Sequence, residues 1–134
     1  MPDTADRFLD AWHEAVAARD TASLEPLLAE AVSIGAPPYW QKLEGRPLVH
    51  FLLGLILETI ENFTYHREWV DGRELALEFT GSVDGLDLQG IDLITLGADG
   101  RIANLDVLIR PANAVSALIA RVAPRMQKHL AGER

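Results

Sequence analysis

The chain has two different hydrophobic rhythms, one in each half. Up to about residue 62 the apolar positions recur at the three- and four-residue spacing of amphipathic helices, whereas from about 63 to 110 they alternate with polar positions. The first spacing indicates helices with one apolar stripe, and the second indicates strands with one apolar face. Helices followed by a run of strands are typical of an α+β domain rather than of a parallel βαβ sheet.

The N-terminal region is predicted to form two helices and a short strand. Residues 4–19 carry one apolar stripe, and either Asp3 or Thr4 can cap that helix. A shorter helix follows, in which Pro26 is tolerated in the first turn. A short strand at residues 32–34 then ends this region.

Two further helices flank the strands. The helix predicted over residues 47–61 is apolar on nearly every side, so we expect other elements to cover it on every side. The C-terminal helix, over residues 112–131, is expected to break or kink at Pro124 because proline removes a helical hydrogen bond.

Four strands joined by three tight hairpins are predicted between these helices. Asp-Gly pairs between alternating apolar runs are a strong hairpin signal, and three of them occur, at Asp71-Gly72, Asp84-Gly85 and Asp99-Gly100. The pattern places strands at 63–71, 74–83, 86–96 and 101–110. We therefore expect helices packed on a strongly curved antiparallel sheet.

Composition indicates one domain in the cytoplasm. The 134 residues include 49% hydrophobic positions, enough for one core, and no cysteine that could form a disulfide or a thiolate site. The net charge of −8 disfavours nucleic acid and acidic membrane surfaces. The longest apolar run, residues 48–57, is too short to span a bilayer, and the N-terminus is too acidic for a signal peptide.

Asp92 is the most informative residue of the sequence. In the strand over 86–96 the even positions are the more apolar, so they should face the helices, and Asp92 is one of them. Burial in an apolar site raises the pKa of a carboxyl group, which then suits it to general acid or base chemistry or to oxyanion binding. The alternative is a structural carboxylate that pairs with an arginine or a backbone amide.

The last strand separates an inner from an outer face. Its inner residues should be Ala103, Leu105, Val107 and Ile109, which leaves Asp106 on the outer side. The outer face also carries three large apolar residues, Ile91, Leu93 and Leu108. Because that is much apolar surface to leave in water, we expect a homodimer through this face.

Aromatic and histidine residues are candidates for lining a pocket between the helices and the sheet. The candidates are Trp12, Tyr39, Trp40, Phe51, His50, His66 and Trp69, although each histidine could equally be an ordinary core or surface residue. No HExxH motif or histidine pair with helical metal-site spacing occurs, so no metal is expected. Motifs for nucleotide binding and for a nucleophile elbow are missing too, and no cofactor is expected.

The order of elements resembles the nuclear transport factor 2-like superfamily, over residues 4–122. The most similar stretches lie in the last two strands and their ends: Gln89-Gly90-Ile91-Asp92-Leu93-Ile94-Thr95-Leu96, Asp99-Gly100-Arg101-Ile102 and Val107-Leu108-Ile109-Arg110-Pro111. The resemblance implies a single SnoaL-like domain over residues 1–134 with the cone-shaped, cystatin-like α+β roll. SnoaL-like polyketide cyclases, ketosteroid isomerases and limonene epoxide hydrolases share that fold.

The resemblance carries over only some site residues. Asp92 falls where ketosteroid isomerases keep a protonated oxyanion-binding aspartate, and Trp12 falls near their oxyanion tyrosine. Their general-base aspartate falls near Gly35 or Ala36, which argues against steroid-type isomerisation. The arginine of the epoxide hydrolases falls at Gly90, which argues against that chemistry.

Two classes of function follow. One is a cofactor-independent isomerase, cyclase or hydratase that acts on a small hydrophobic carbonyl compound, with Asp92 as the acid, base or oxyanion donor. The other is a non-catalytic domain, which binds a small apolar ligand or associates through its outer sheet face. The fold alone does not choose between them.

Overall fold

Six strands form one curved sheet with the helices on its inner face. The computed structural model describes residues 4–37 and 39–132. Its helices are α1 (Thr4–Ala17), a 3₁₀ helix (Thr21–Leu27), α2 (Arg46–Thr59) and α3 (Ala112–Leu130). Its strands are β1 (Leu28–Gly35), β2 (Leu43–Glu44), β3 (Glu61–Asp71), β4 (Glu74–Val83), β5 (Leu86–Leu96) and β6 (Ile102–Arg110).

The predicted α+β class and the antiparallel meander are confirmed. The strand order is β2-β1-β6-β5-β4-β3, and each pair from β3 to β6 is antiparallel. The sheet curls around the helices without closing. Because β5 and β4 are the central strands of the meander, side chains on their inner face point into the enclosed interior.

The first strand departs from the expected antiparallel sheet. β1 covers eight residues rather than three, and it pairs with β6 in parallel. Between β1 and β6 the chain forms β2, α2 and the strands β3 to β5, so no hairpin signal marks this pairing. The short strand β2 then pairs with β1 and forms the sheet edge. The proposed cap Asp3 lies outside the described residues.

The interior is filled from both layers. Phe8 and Trp12 of α1 stack with ring centroids 5.5 Å apart, and both are almost fully buried. α2 packs against β1, the 3₁₀ helix and α3, so the expectation that this apolar helix is covered by several elements agrees with its surroundings. None of the helices within 4–37 and 39–132 has the length and apolar composition that a membrane crossing requires.

Two local predictions need correction. The break expected at Pro124 does not occur: α3 continues through it, and buried residues anchor the helix on both sides of the proline, at Leu118 and Met126. Ala103 was assigned to the inner face, but the register shifts between Thr95 and Leu96, and Ile102 is fully buried instead. An extra residue of this kind reverses the alternation that a two-residue rhythm assumes.

Candidate functional site

Asp92 lies in the middle of β5 and faces the interior. It is only 6% exposed, and its neighbours across the sheet are Leu77 of β4 and Val107 of β6. Both neighbours are buried aliphatic residues, as the strand alternation predicts. The fold therefore holds a carboxylic acid on a rigid central strand within an apolar surrounding.

Three polar side chains form a hydrogen-bonded chain that ends at Asp92. The indole Nε1–H of Trp12 donates to the hydroxyl oxygen of Tyr65 at 2.9 Å, and that hydroxyl donates to Asp92 Oδ2 at 2.7 Å. The three groups come from α1, β3 and β5. The Tyr65 hydroxyl thus accepts one hydrogen bond and gives one, which fixes the direction of its proton.

The second carboxyl oxygen of Asp92, Oδ1, differs from Oδ2 in its surroundings. It has no hydrogen-bond partner among the described residues, whereas Oδ2 has Tyr65. Every fully sealed side-chain nitrogen or oxygen in the described part of the chain has a partner. Since Oδ1 has none, it borders free volume rather than packed atoms.

Burial dominates the electrostatics of this group. Loss of solvation raises the pKa of Asp92 to about 7, and the hydrogen bond from Tyr65 opposes that rise. Burial and the neighbouring Asp92 carboxylate also raise the pKa of Tyr65 well above its usual value. Near neutral pH, Asp92 therefore exchanges its proton while Tyr65 keeps its own.

Free volume of about 30 Å³ lies against this network, and we call it the Asp92 cavity. Trp12, Tyr65 and Asp92 are its only polar side chains among the described residues. The rest of the lining is apolar: Val16, Leu24, Leu53, Ile56, Leu57, Phe63, Phe79 and Val107. The cavity is therefore a mostly apolar compartment in which the polar side chains all belong to the Trp12–Tyr65–Asp92 network.

A second apolar space, the α3 cavity, adjoins the first. It also has about 30 Å³ of free volume, and α3 forms much of its wall through Leu118, Ile119, Val122, Ala123 and Met126. Tyr39 and Pro37, from the segment between β1 and β2, lie at another side. Ile56 and Val107 line both cavities, so they form the boundary between the two.

The glycine at position 90 shapes the floor of the Asp92 cavity. The ring of Phe79 lies across Gly90, and a Cβ atom there would come within 2.3 Å of Phe79 Cζ and 2.7 Å of the Leu108 carbonyl oxygen. Phe79 also stacks on Phe63, with centroids 4.6 Å apart. The missing side chain therefore leaves room for Phe79, which lines the Asp92 cavity together with Phe63.

A solved structure of high similarity shows the family. It is a steroid delta-isomerase from Pseudomonas aeruginosa, 34% identical, with a TM-score of 0.90, covering 98% of this chain and 97% of that chain. The chain belongs to the nuclear transport factor 2-like superfamily. The resemblance seen in the sequence is thereby confirmed.

Other solved structures match with lower TM-scores. A protein with a cystatin-like fold from Silicibacter pomeroyi is 34% identical, with a TM-score of 0.86, covering 92% of this chain and 88% of that chain. A nuclear transport factor 2-like protein of unknown function from Mesorhizobium loti is 21% identical, with a TM-score of 0.72, covering 83% and 98%, and shows the fold alone. No protein-family model and no curated protein matches the chain.

The superfamily fold brings two of the predicted ligand residues to these cavities. Trp12 lines the Asp92 cavity and donates the hydrogen bond to Tyr65. Tyr39 lines the α3 cavity, where it is 47% exposed. Trp12 therefore lies at the Asp92 cavity and Tyr39 at the α3 cavity.

Two other candidates, His50 and Phe51, line a separate cleft of about 600 Å³ between α2, the 3₁₀ helix and the end of α3. His50 Nε2 bonds to the carbonyl oxygen of Thr21 at 2.7 Å. Phe51 stacks on the ring of His129, with centroids 3.8 Å apart. Neither residue lines the Asp92 cavity.

The remaining three candidates lie at the surface. Trp40 is 96% exposed. His66 directly follows the inward Tyr65 and so lies on the outer face by ordinary alternation, whereas the register shift of β3 between Tyr65 and Glu68 turns Trp69 to that face. There His66 bonds to Thr80 at 2.7 Å, and Trp69 is half exposed. The structure does not bring these residues to Asp92.

Tyr65 is the site residue that sequence reasoning missed. It alternates with Phe63 within the predicted strand, and both of these residues line the Asp92 cavity. That alternation was the available signal, because an inward tyrosine near an inward aspartate needs a polar partner.

In the described residues no group of three or more His, Asp and Glu side chains is arranged to hold a metal ion.

Proposed function

We propose that the protein is an isomerase that moves a proton between two carbon atoms of a small apolar carbonyl compound. The observation that carries the proposal is the exposed Oδ1 of Asp92, which faces an apolar cavity while Oδ2 is held by Tyr65. A carboxyl group with a pKa of about 7 is well matched to proton transfer near neutral pH.

The proposed reaction uses Asp92 twice. Its carboxylate Oδ1 takes a proton from the carbon next to the carbonyl group, and the electron pair of that C–H bond forms an enolate. The same Oδ1–H then returns the proton to a carbon further along the conjugated system, and the carbonyl group is restored. The net change is a shift of one carbon–carbon double bond, and no cofactor is needed.

Tyr65 supplies the second half of this chemistry. While Asp92 is ionised, the tyrosine hydroxyl donates to its Oδ2. Once Oδ1 has taken the substrate proton, the carboxyl group is neutral and holds that hydroxyl less strongly. The hydroxyl is then available to donate to the enolate oxygen, and Trp12 continues to donate to the tyrosine oxygen.

The composition of the cavity favours isomerisation over hydration or cyclisation. Hydration requires a second group that activates water, and among the described residues only Trp12, Tyr65 and Asp92 give the cavity polar side chains. An aldol cyclisation requires separate groups for the nucleophilic carbon and the carbonyl oxygen. One acid–base group is enough for a proton shift, so isomerisation needs the fewest polar groups of the three reactions.

The similarity to a steroid delta-isomerase supports an isomerase, with one departure. Gly35 and Ala36 stand where the resemblance places the general base of ketosteroid isomerases, and neither carries a carboxylate. In our proposal Asp92 takes over the role of the base. The position of the proton-transferring group relative to the substrate therefore differs from that of ketosteroid isomerases.

The test is isomerisation of β,γ-unsaturated ketones, followed by the absorbance of the conjugated product. We expect kcat/KM to rise with pH and to reach half its maximum near the pKa of Asp92, about 7. Asp92→Asn should lower the rate by roughly 10²- to 10⁴-fold. Asp87→Asn is the matched control, because Asp87 lies exposed on the outer face of the same strand.

The same experiment separates the alternative. Ketone binding that Asp92→Asn weakens, without any turnover in the wild type, would replace the isomerase by a non-catalytic ligand-binding domain. Turnover that Asp92→Asn leaves intact would remove Asp92 from the reaction altogether.

We also propose that two copies associate through the outer sheet face. Four large apolar residues support this, since each is between 36% and 54% exposed there: Trp69, Ile91, Leu93 and Leu108. Light scattering after gel filtration should give the mass of a dimer, and Leu93→Asp should give a monomer. Leu130→Asp is the control, because Leu130 is exposed on α3, which lies on the other face of the sheet. A wild-type monomer would contradict the proposal.

A further inference from the structure

We infer that the substrate is a slender, unbranched chain with its carbonyl group at one end, and that Ile56 and Val107 select it by width. The inference rests on the proposed function and names the substrate class of that same site. Its starting point is that these two side chains line both the Asp92 cavity and the α3 cavity.

The polarity of the two spaces fixes the direction of the ligand. The α3 cavity is walled almost entirely by apolar side chains, whereas the Asp92 cavity has a polar end formed by Trp12, Tyr65 and Asp92. Tyr39, which is half exposed, is the one side chain with a hydrogen-bond donor among the described residues that line the α3 cavity, so a carbonyl oxygen placed against the α3 wall would lose its water without gaining a donor, which is unfavourable. The carbonyl end therefore belongs beside Asp92, and the apolar remainder extends past the boundary residues toward α3.

The volume of the two spaces limits the shape of the ligand. Each has about 30 Å³ of free volume, which is room for roughly two water molecules. A chain that spans both spaces needs a passage one methylene wide between Ile56 and Val107. A fused-ring body would need both boundary side chains to move, together with the α3 wall.

The boundary residues are poorly suited to such movement. Ile56 lies on α2 and Val107 on the inner face of β6. Both side chains are branched at Cβ, which leaves a helical isoleucine essentially one side-chain rotamer and restricts valine in a strand. Leucine or methionine could turn aside from a wide ligand, whereas these two side chains hold their positions. The passage therefore discriminates by width rather than adapting to the ligand.

Trp12 offers a signal that reports on the inner space alone. The chain has three tryptophans, and the other two, Trp40 and Trp69, are exposed at 96% and 49%. In a background with Trp40→Phe and Trp69→Phe, a change in fluorescence on ligand addition reports occupancy beside Tyr65 and Asp92.

The experiment titrates this background protein with straight-chain 3-alken-2-ones of increasing length, which are the conjugated products of the proposed reaction, and with a fused four-ring 3-oxosteroid. We expect affinity to rise about fourfold for each added methylene until the α3 cavity is filled, and we expect no response to the steroid. Ile56→Ala and, separately, Val107→Ala should each widen the passage enough to admit a chain that carries one methyl branch, which the background protein should exclude. The steroid should stay excluded from both variants, because it needs both boundary side chains and the α3 wall to move. Leu118→Ala, which enlarges only the α3 cavity, should weaken the longest chains without admitting the branched chain.

The outcomes keep the inference apart from the proposed function. Equal binding of chains and steroid to the background protein would overturn the inference and leave Asp92 chemistry standing. An affinity that is independent of chain length would do the same. Failure of every ketone to alter Trp12 fluorescence would overturn both. Thermal melts of each variant show whether it is folded, and the chain-length series on the background protein needs no boundary variant at all.

Discussion

Two carboxylates on neighbouring strands are buried to the same extent but behave in opposite ways. Glu78 of β4 and Asp92 of β5 are each 6% exposed. Glu78 faces the outer side, where Arg67 holds it through two hydrogen bonds of 2.7 and 2.8 Å and Gln89 adds a third of 2.6 Å. These bonds, with that of Arg67 foremost, lower the pKa of Glu78 to about 2.

The contrast shows that burial alone does not decide the chemistry of a carboxyl group. Asp92 has one neutral donor, Tyr65, and its pKa rises to about 7 because burial outweighs that single hydrogen bond. Glu78 has a cation and an amide, so it stays ionised. Only the carboxyl group that the protein leaves short of donors can exchange a proton near neutral pH.

The largest expected effect concerns the stability of the protein as a function of pH. The folded protein binds a proton at Asp92 up to a pH of about 7, whereas an unfolded aspartate releases it near its ordinary pKa of about 3.9. The free energy of unfolding should therefore fall by about 4 kcal/mol between roughly pH 4 and pH 7 and then level off.

Urea denaturation of the wild type and of Asp92→Asn across that range measures this effect. The variant cannot titrate at this position, so the difference between the two proteins isolates the Asp92 contribution. A difference that stays constant with pH would mean that Asp92 is ionised throughout, as Glu78 is. The contrast drawn between the pKa values of these two carboxyl groups would then be wrong.

The next effect comes from removing the one donor of Asp92. Tyr65→Phe leaves Asp92 Oδ2 and Trp12 Nε1 without partners, which should cost about 1 to 3 kcal/mol of unfolding free energy. The pKa of Asp92 should also rise further, because this hydrogen bond is what opposes the effect of burial. Carboxyl carbon NMR measures the pKa, and Thr64→Val, which removes an exposed hydroxyl from the same strand, is the control. An unchanged Asp92 pKa would contradict the assigned hydrogen bond.

A third test makes Glu78 resemble Asp92. Arg67→Met removes the cation but leaves the buried position, so the pKa of Glu78 should rise from about 2 toward or above its ordinary value. In the wild type, Glu78 adds stability above that ordinary value and loses it as the pH falls toward 2. The variant should not show this acid-side loss. NMR titration measures the pKa of Glu78 in the variant. A pKa that remains near 2 would mean that Gln89, rather than Arg67, lowers it.

The smallest effect is expected at an exposed pair. Asp106 of β6 lies 3.4 Å from Lys42, and both side chains are more than a third exposed. Because surface ion pairs contribute little, Asp106→Asn should change the free energy of unfolding by less than about 1 kcal/mol. A larger loss, seen in the same denaturation experiments, would show that exposure is a poor guide to the energetics of this sheet.

The strands were predictable because their signals are local. Alternation and the Asp-Gly turns gave β4 and β5 without error, and the same parity placed Asp92 inside. Features that depend on pairing between segments far apart in the sequence were not predicted, since nothing near β1 marks its parallel partner β6. The break expected at Pro124 does not occur, because packing on both sides of it holds the helix together.

The site was predictable only as far as parity holds. Asp92 and Trp12 follow from uninterrupted patterns, and both line the cavity. Trp69 was chosen as a pocket residue, but the irregular register of β3 puts it on the outer face, whereas His66 lies outside because it alternates with the inward Tyr65. Tyr65, which precedes that irregularity, lies inside. Irregularities of this kind leave no reliable mark in a single sequence.

Substitution of Gly90, in evolution or in protein engineering, is a simple way to change the free volume beside Asp92. Any side chain there would press on Phe79 and on the backbone of β6, so the aromatic ring would have to leave its place beside Asp92. One added methyl group would thus reshape the reaction space without altering a polar atom. Homologues that carry alanine or serine at this position are therefore expected to have a differently shaped cavity beside the same carboxyl group.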